Sequence, residues 1–214
     1  VKSEALQAYN LTVDTNHTYF IKGLNVNLDG VWVHNNCNLD DIQNIKYGKA
    51  EIVQKPNGSL EVNYTNAAGT NLKWTPQTEK DIQRSIDSKS KSTESGDIAE
   101  AKVAKIVQTS GEKISGFGVQ VKNNKNQHIG DADIITEKYF IEVKKSDSAI
   151  KKNQVAKYVD ENNPNFFNTN GKQVIIYVDE GGLGSEARKL KNQYGDKIKI
   201  VSGKSELENI LKGK

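Results

Sequence analysis

The sequence predicts a mixed α/β fold, an α+β mixed sheet with helices on both faces, preceded by a small β-rich amino-terminal segment. Three observations carry this. Beyond residue 97, strand-length runs and helix-period segments follow in the order α-β-β-β-α-β-α-β-α, and a β-meander followed by an αβ crossover makes a mixed sheet. The run VIIYV at 174–178 is the longest apolar stretch and reads as a buried strand. Residues 9–34 show only short strand signals, YNLTV, TYFI and VWVH, separated by turn residues such as Asp29-Gly30.

Each element has a local reason. Residues 38–48 suit one or two helical turns, with Asn38 as cap and Leu39, Ile42 and Ile45 at spacings of three. AEIVQ and LEVNY flank Lys55-Pro56-Asn57-Gly58-Ser59, a hairpin signal. A polar helix follows Pro76, from Gln77 to about Ser88, and the polar run SKSKSTESGD reads as a linker or helix boundary. An alanine- and valine-rich helix spans 98–107, with Gly96 placed to let it approach the sheet closely. Strands are predicted at 117–122, 129–135 and 138–144, a helix over about 147–162, a strand at 173–178, a helix near 185–194, a strand at 197–201 and a last helix over 205–211.

Composition narrows the function classes. With 214 residues the chain can bury a core without disulfides, and its single cysteine, Cys37, excludes an intrachain disulfide or a multi-cysteine zinc site. An apolar run of five residues is far short of the roughly 20 that a membrane-spanning helix needs, so stable membrane insertion is not expected. The net charge of +3 is a weak nudge toward an anionic partner and no basic stripe of a dedicated DNA-binding protein. A valine start with no methionine anywhere suggests a piece of a longer protein.

Chemistry concentrates in Gly130-Asp131-Ala132-Asp133-Ile134-Ile135 and Tyr139-Phe140-Ile141-Glu142-Val143-Lys144. Strand alternation sets Asp131 and Asp133 on one face and Glu142 and Lys144 on one face. A two-residue loop at Glu137-Lys138 would place Asp133 directly opposite Glu142. Opposed carboxylates repel, and a sheet avoids them unless a cation lies between. Hard oxygen donors of this kind suit magnesium first, with manganese or zinc as alternatives. A lysine beside them can orient an attacking water and offset charge on a phosphate. Glu100 shares an otherwise apolar helical face with Val103, Ala104 and Val107 and so points toward the core. Gln154 and Tyr158, one turn apart, are placed to reach a substrate, and His128 borders the acidic strand.

The run GDADII…YFIEVKK resembles the core motif of the PD-(D/E)XK nuclease superfamily, over about residues 93–178. The resemblance implies a restriction-endonuclease-like core, α-βββ-α-β with flanking helices. It also implies Asp133 and Glu142 as metal ligands, Lys144 as the catalytic lysine, Glu100 as a further metal or water contact and Gln154 as an accessory residue. The extra aspartate, Asp131, leaves open which of the pair is the main ligand.

Upstream, YNLTVDTNHTYFI…GVWVHNNC resembles the carboxy-terminal end of a Hint or intein-type domain at the junction found in bacterial polymorphic toxins. His34 and Asn35 then stand at the histidine-asparagine pair that promotes asparagine cyclisation, followed by Asn36 and Cys37. Three segments are expected: a junction remnant at 1–37, an intermediate segment with a possible entry role at 38–92, and a nuclease domain at 93–214. Together the resemblances imply a toxin of the contact-dependent inhibition or Rhs type, delivered as the tail of a larger secreted or surface protein into the cytoplasm of target bacteria. A cognate immunity protein would block it. DNA is slightly favoured as substrate; a tRNA-cleaving toxin of the same fold and a non-catalytic secretion or adhesion module are the alternatives.

Overall fold

The computed structural model describes residues 18–21, 31–34, 42 and 45–213. Two strands, β1 (Thr18–Ile21) and β2 (Val31–His34), pair antiparallel in a two-stranded sheet, with Tyr19 opposite Val33. The strand expected at YNLTV and most of the predicted 38–48 helix lie outside the described residues.

The remaining strands form one eight-stranded mixed sheet. They are β3 (Lys49–Gln54), β4 (Leu60–Thr65), β5 (Asn71–Trp74), β6 (Ile114–Asn123), β7 (His128–Thr136), β8 (Tyr139–Lys144), β9 (Gln173–Val178) and β10 (Ile198–Ser202). Their spatial order is β10-β9-β8-β7-β6-β5-β4-β3. Strands β8, β9 and β10 run parallel and every other pairing is antiparallel. Residues 49–74, read from the sequence as part of an intermediate segment, thus supply three strands of the sheet that also carries residues 114–202.

Among residues 45–213, five α-helices cover the two faces. On one side α1 (Glu79–Lys89), α2 (Ser95–Thr109) and α5 (Lys204–Leu211) bury Ile82, Ile86, Val103, Val107 and Leu207 against Phe117, Ile134, Ile141 and Ile175. On the other, α3 (Lys152–Val159) and α4 (Ser185–Tyr194) bury Val155, Tyr158 and Leu190 against Phe140, Val174 and Ile176. Strand β9 lies between both layers, and Val174, Ile175, Ile176 and Val178 are wholly inaccessible. Each such side chain stabilises the fold by roughly 1.5–3 kcal/mol, so the unbroken apolar run is explained by two-sided burial. Helix α1 begins at a capping box, in which Thr78 Oγ1 accepts from Asp81 N at 3.1 Å and Thr78 N donates to the Asp81 carboxylate at 3.2 Å. No helix among the described residues is long and apolar enough to cross a membrane.

Of the two readings of SKSKSTESGD, linker or helix boundary, the structure shows the boundary: α1 ends at Lys89, α2 starts at Ser95, and Ser92 Oγ donates to Asp97 at 2.9 Å between them. Two expectations are corrected. An added Cβ on Gly96 would meet nothing within 4 Å, so that glycine serves no close approach to the sheet. The single helix expected over 147–162 is a 3₁₀ turn, Asp147–Ala149, followed by the shorter α3, because Ile150 turns extended to bury its side chain. Strand β5 was not foreseen; its four residues offer only Leu72 as a fully buried position, too short a signal for period-two reading.

Candidate active site

Strands β7 and β8 pair through Ile134 with Ile141 and Ile135 with Phe140, the register that a two-residue loop at Glu137-Lys138 predicts. Beyond Ile134 the strands part. There the Asp133 carboxylate accepts the Val143 N–H at 2.8 Å, taking the place of a main-chain carbonyl.

The neighbouring strand shows why the ladder opens at this point. Phe117 of β6 pairs with Ile134, and both pack on the α2 side; Val119 pairs with Ala132, and both pack on the α3 side. Regular alternation would keep residues two apart on one face. The switch happens at Gly118, which stands opposite Asp133 in this register and has φ of 59°, a conformation open to glycine. Asp133 therefore lies where the sheet exchanges faces, and three consecutive residues, Ala132, Asp133 and Ile134, are buried. The expectation that Asp131 and Asp133 share one face fails for this reason: Asp131 turns to the surface and pairs with His128 Nε2 at 2.9 Å.

Glu142 is completely buried. Its Oε1 accepts from Gln154 Nε2 at 2.6 Å and from the Lys144 ammonium, while Oε2 has no hydrogen-bond partner among the described residues. The Tyr158 hydroxyl donates to the Asp131 carbonyl at 3.2 Å and also lies close enough to favour the Glu142 anion. Burial raises the Asp133 carboxyl well above the ordinary carboxylate range, and the charges of Glu142 and Glu100 push it the same way. Burial raises Glu142 as well, with Lys144 opposing the shift. Tyr158 is held in its neutral form by burial and by the two carboxylates.

Glu100 approaches from α2, on the face shared with buried Val103, Ala104 and Val107 as expected. Its carboxylate is held by the ammonium of Lys89, which also lies 3.4 Å from Asp97 and over the Phe117 ring. Lys89 is the residue that sequence reasoning missed, because it sits in a polar run with no periodic signal. Asp133, Glu142, Lys144 and Gln154 thus come together, with Glu100 near enough to act on both carboxylates, while Asp131 and His128 pair outside the cluster. Among the described residues no three His, Cys, Asp or Glu side chains are arranged to hold a metal ion as they stand. The backbone of His34 closes β2; Asn35, Asn36 and Cys37 lie outside the described residues.

Residues 1–36 match the family described as the pretoxin HINT domain. The match gives the chain a polymorphic-toxin context. It includes His34 and Asn35 and ends before the sheet that carries the carboxylates, so it says nothing of what that sheet does. Comparisons with curated proteins and with solved structures return no match.

Proposed function

We propose that residues 93–214 form a restriction-endonuclease-like, divalent-metal-dependent nuclease of the PD-(D/E)XK kind, the toxic part of a polymorphic toxin. The observation that carries this reading is the buried pair Asp133 and Glu142, with Lys144 on one carboxylate and Glu142 Oε2 left without a partner among the described residues. An unpartnered buried carboxylate oxygen beside a second buried carboxylate is a costly arrangement in an apolar sheet. A hard cation relieves it. Asp133 and Glu142 would hold magnesium, or manganese or zinc, with Glu100 joining once released from Lys89 and water completing the shell. Bound there, the ion would supply positive charge to a phosphate oxygen.

The protein's own groups do the rest. Gln154 fixes the rotamer of Glu142 through the 2.6 Å bond to Oε1. The Lys144 ammonium stands beside that carboxylate, where it orients the attacking water and offsets charge building on the phosphate. Water adds to phosphorus, one P–O bond to sugar breaks, and the products are a phosphomonoester end and a hydroxyl end. The substrate is nucleic acid, DNA ahead of tRNA. The toxin context supports delivery as the tail of a larger secreted protein, action in the target cytoplasm and a cognate immunity protein as partner.

The test is incubation of the chain with plasmid DNA and with total tRNA, in magnesium, manganese, zinc or chelator, alongside Glu142→Gln and Lys144→Met. Metal-dependent cutting that falls by about 100-fold or more in each variant is expected, the scale of a lost acid-base or electrostatic group. Absence of cutting in every metal would leave the non-catalytic interaction module, and undiminished cutting in both variants would remove Glu142 and Lys144 from the reaction and overturn this reading.

A further inference from the structure

Lys73 of β5 is directly opposite Lys122 of β6. Such pairs bring Cβ atoms to within about 4.5–5.5 Å, and like charges so placed are destabilising. Both side chains are partly buried, and both line a groove of about 380 Å³ beneath the β3–β4 hairpin. The carboxylates that also line it have other partners: Glu61 is held at 2.6 Å by Lys55, itself part of the lining, and Asp81 by Thr78 and Arg84. Neither Lys73 nor Lys122 has an ion-pair partner among the described residues. On the next strand His128 is the register partner of Lys122. Lys73 and Lys122 therefore stand side by side on adjacent strands, about 4.8 Å apart, with His128, engaged by Asp131, next in the row. Two adjacent ammonium groups suit successive phosphates of a chain better than a single anion.

The groove also leads somewhere. Gly118 lines it and stands opposite Asp133, so no side chain blocks that stretch of β6. An added Cβ on Gly118 would lie 3.7 Å from Lys89 Nζ, the ammonium that holds Glu100. Gln120 and Asn126 add neutral polar groups along the wall.

We propose that the groove of Lys73 and Lys122 is the track on which the sugar-phosphate backbone of a nucleic acid lies as it reaches the Asp133–Glu142 cluster. Only the direction of the track rests on the nuclease reading; the binding of a polyanion does not. Binding of a labelled 20-base-pair DNA duplex and of a labelled RNA hairpin to the whole chain is followed by fluorescence anisotropy, in chelator, from 50 to 200 mM salt. Each lost phosphate contact lowers the log–log salt slope by about 0.9 on duplex DNA. Over that fourfold range the wild type should lose about 12-fold more affinity than Lys73→Ala/Lys122→Ala, and Lys73→Arg/Lys122→Arg should behave as wild type.

Lys73→Glu adds a control for folding. It turns a repulsive cross-strand pair into an attractive one, so the melting temperature should rise while binding weakens. Equal affinity and equal salt slope in wild type and double alanine variant overturn the proposal, and the pair then serves another partner such as an acidic protein face. If the wild type binds both probes through these lysines yet cuts neither in any metal, the track stands and the hydrolytic reading falls. If cutting is normal and the lysine variants leave the salt slope unchanged, the reverse holds.

Discussion

Replacing Asp147 by alanine tests how the loop after β8 is held. The Asp147 carboxylate accepts the N–H groups of Gly184, Glu186 and Ala187, each at 2.9 Å, and so caps α4 from a distant part of the chain. The contact requires glycine at 184, where an added Cβ would lie 2.6 Å from Oδ2. Loss of an ordinary cap costs about 0.5–2 kcal/mol. Three charge-assisted bonds on a partly buried carboxylate put Asp147→Ala near the top of that range, about 2 kcal/mol, and Asp147→Asn, which keeps acceptor oxygen but not charge, at about 1. For a domain of this size each kcal/mol moves the melting temperature by roughly 2–4 °C, so the alanine variant should melt about 4–8 °C lower by circular dichroism at pH 7.5. Burial alone would raise this carboxyl, but the donors from Ala187, Glu186 and Gly184 outweigh it and hold it below the ordinary value. A depressed carboxyl contributes stability that is present above its unfolded value of about 3.9 and disappears as pH falls through the folded one. The gap between wild type and Asp147→Asn should therefore narrow as pH falls below about 4. Melting of the alanine variant within 1 °C or so of wild type, or a wild-type to Asp147→Asn gap unchanged in acid, would refute this account of the loop.

Two further outcomes follow from burial and pairing. Asp133→Asn keeps an acceptor for the Val143 N–H and removes one of two mutually repelling buried carboxyls; in chelator it should gain about 1–2 kcal/mol of stability, in metal it should lose the proposed cleavage, and a lower melting temperature than wild type would contradict the electrostatic reading. Asn66 is 3 % exposed, with Nδ2 donating to Pro164 O at 2.9 Å and Phe166 O at 3.3 Å and Oδ1 accepting from Thr70 N at 2.8 Å. Asn66→Ala should cost about 2–3 kcal/mol in urea unfolding, and a loss under 0.5 or so would show that water replaces those bonds.

The order and type of the elements after residue 94 were legible because apolar periodicity was strong there. Val174, Ile175, Ile176 and Val178 can only be a two-sided strand, and Ile134 and Ile141 leave one register for β7 against β8. Glu137-Lys138 lacks the residues a primed turn prefers, yet that register forms. The reason is tertiary: Thr136 Oγ1 accepts from Lys138 N at 3.2 Å and Tyr139 N at 3.0 Å, and Lys172 reaches in to the carbonyls of Thr136 and Glu137. Lys172 is 34 residues downstream of Lys138, beyond any local rule. Asp147 was misread as the start of a helix for the same reason, since the backbone it caps belongs to residues 184–187.

The candidate site shows where alternation ends as a guide. Period-two reading assumes an unbroken pleat, and it placed Glu142 and Lys144 together correctly because β8 is regular. It failed for Asp131 because β6 turns through a positive φ at Gly118 and β7 follows, so the two aspartates part. A sheet selected only for stability would put valine or isoleucine at the point where its faces exchange. This chain instead keeps Asp133 and Glu142 there, one carboxyl oxygen without a partner among the described residues, and draws Lys144, Gln154 and the Lys89–Glu100 pair around them. Local structure and local chemistry disagree there while β8 and β9 beside it keep an unbroken register, and such a disagreement is what a functional site, as proposed for this cluster, would leave in a sheet.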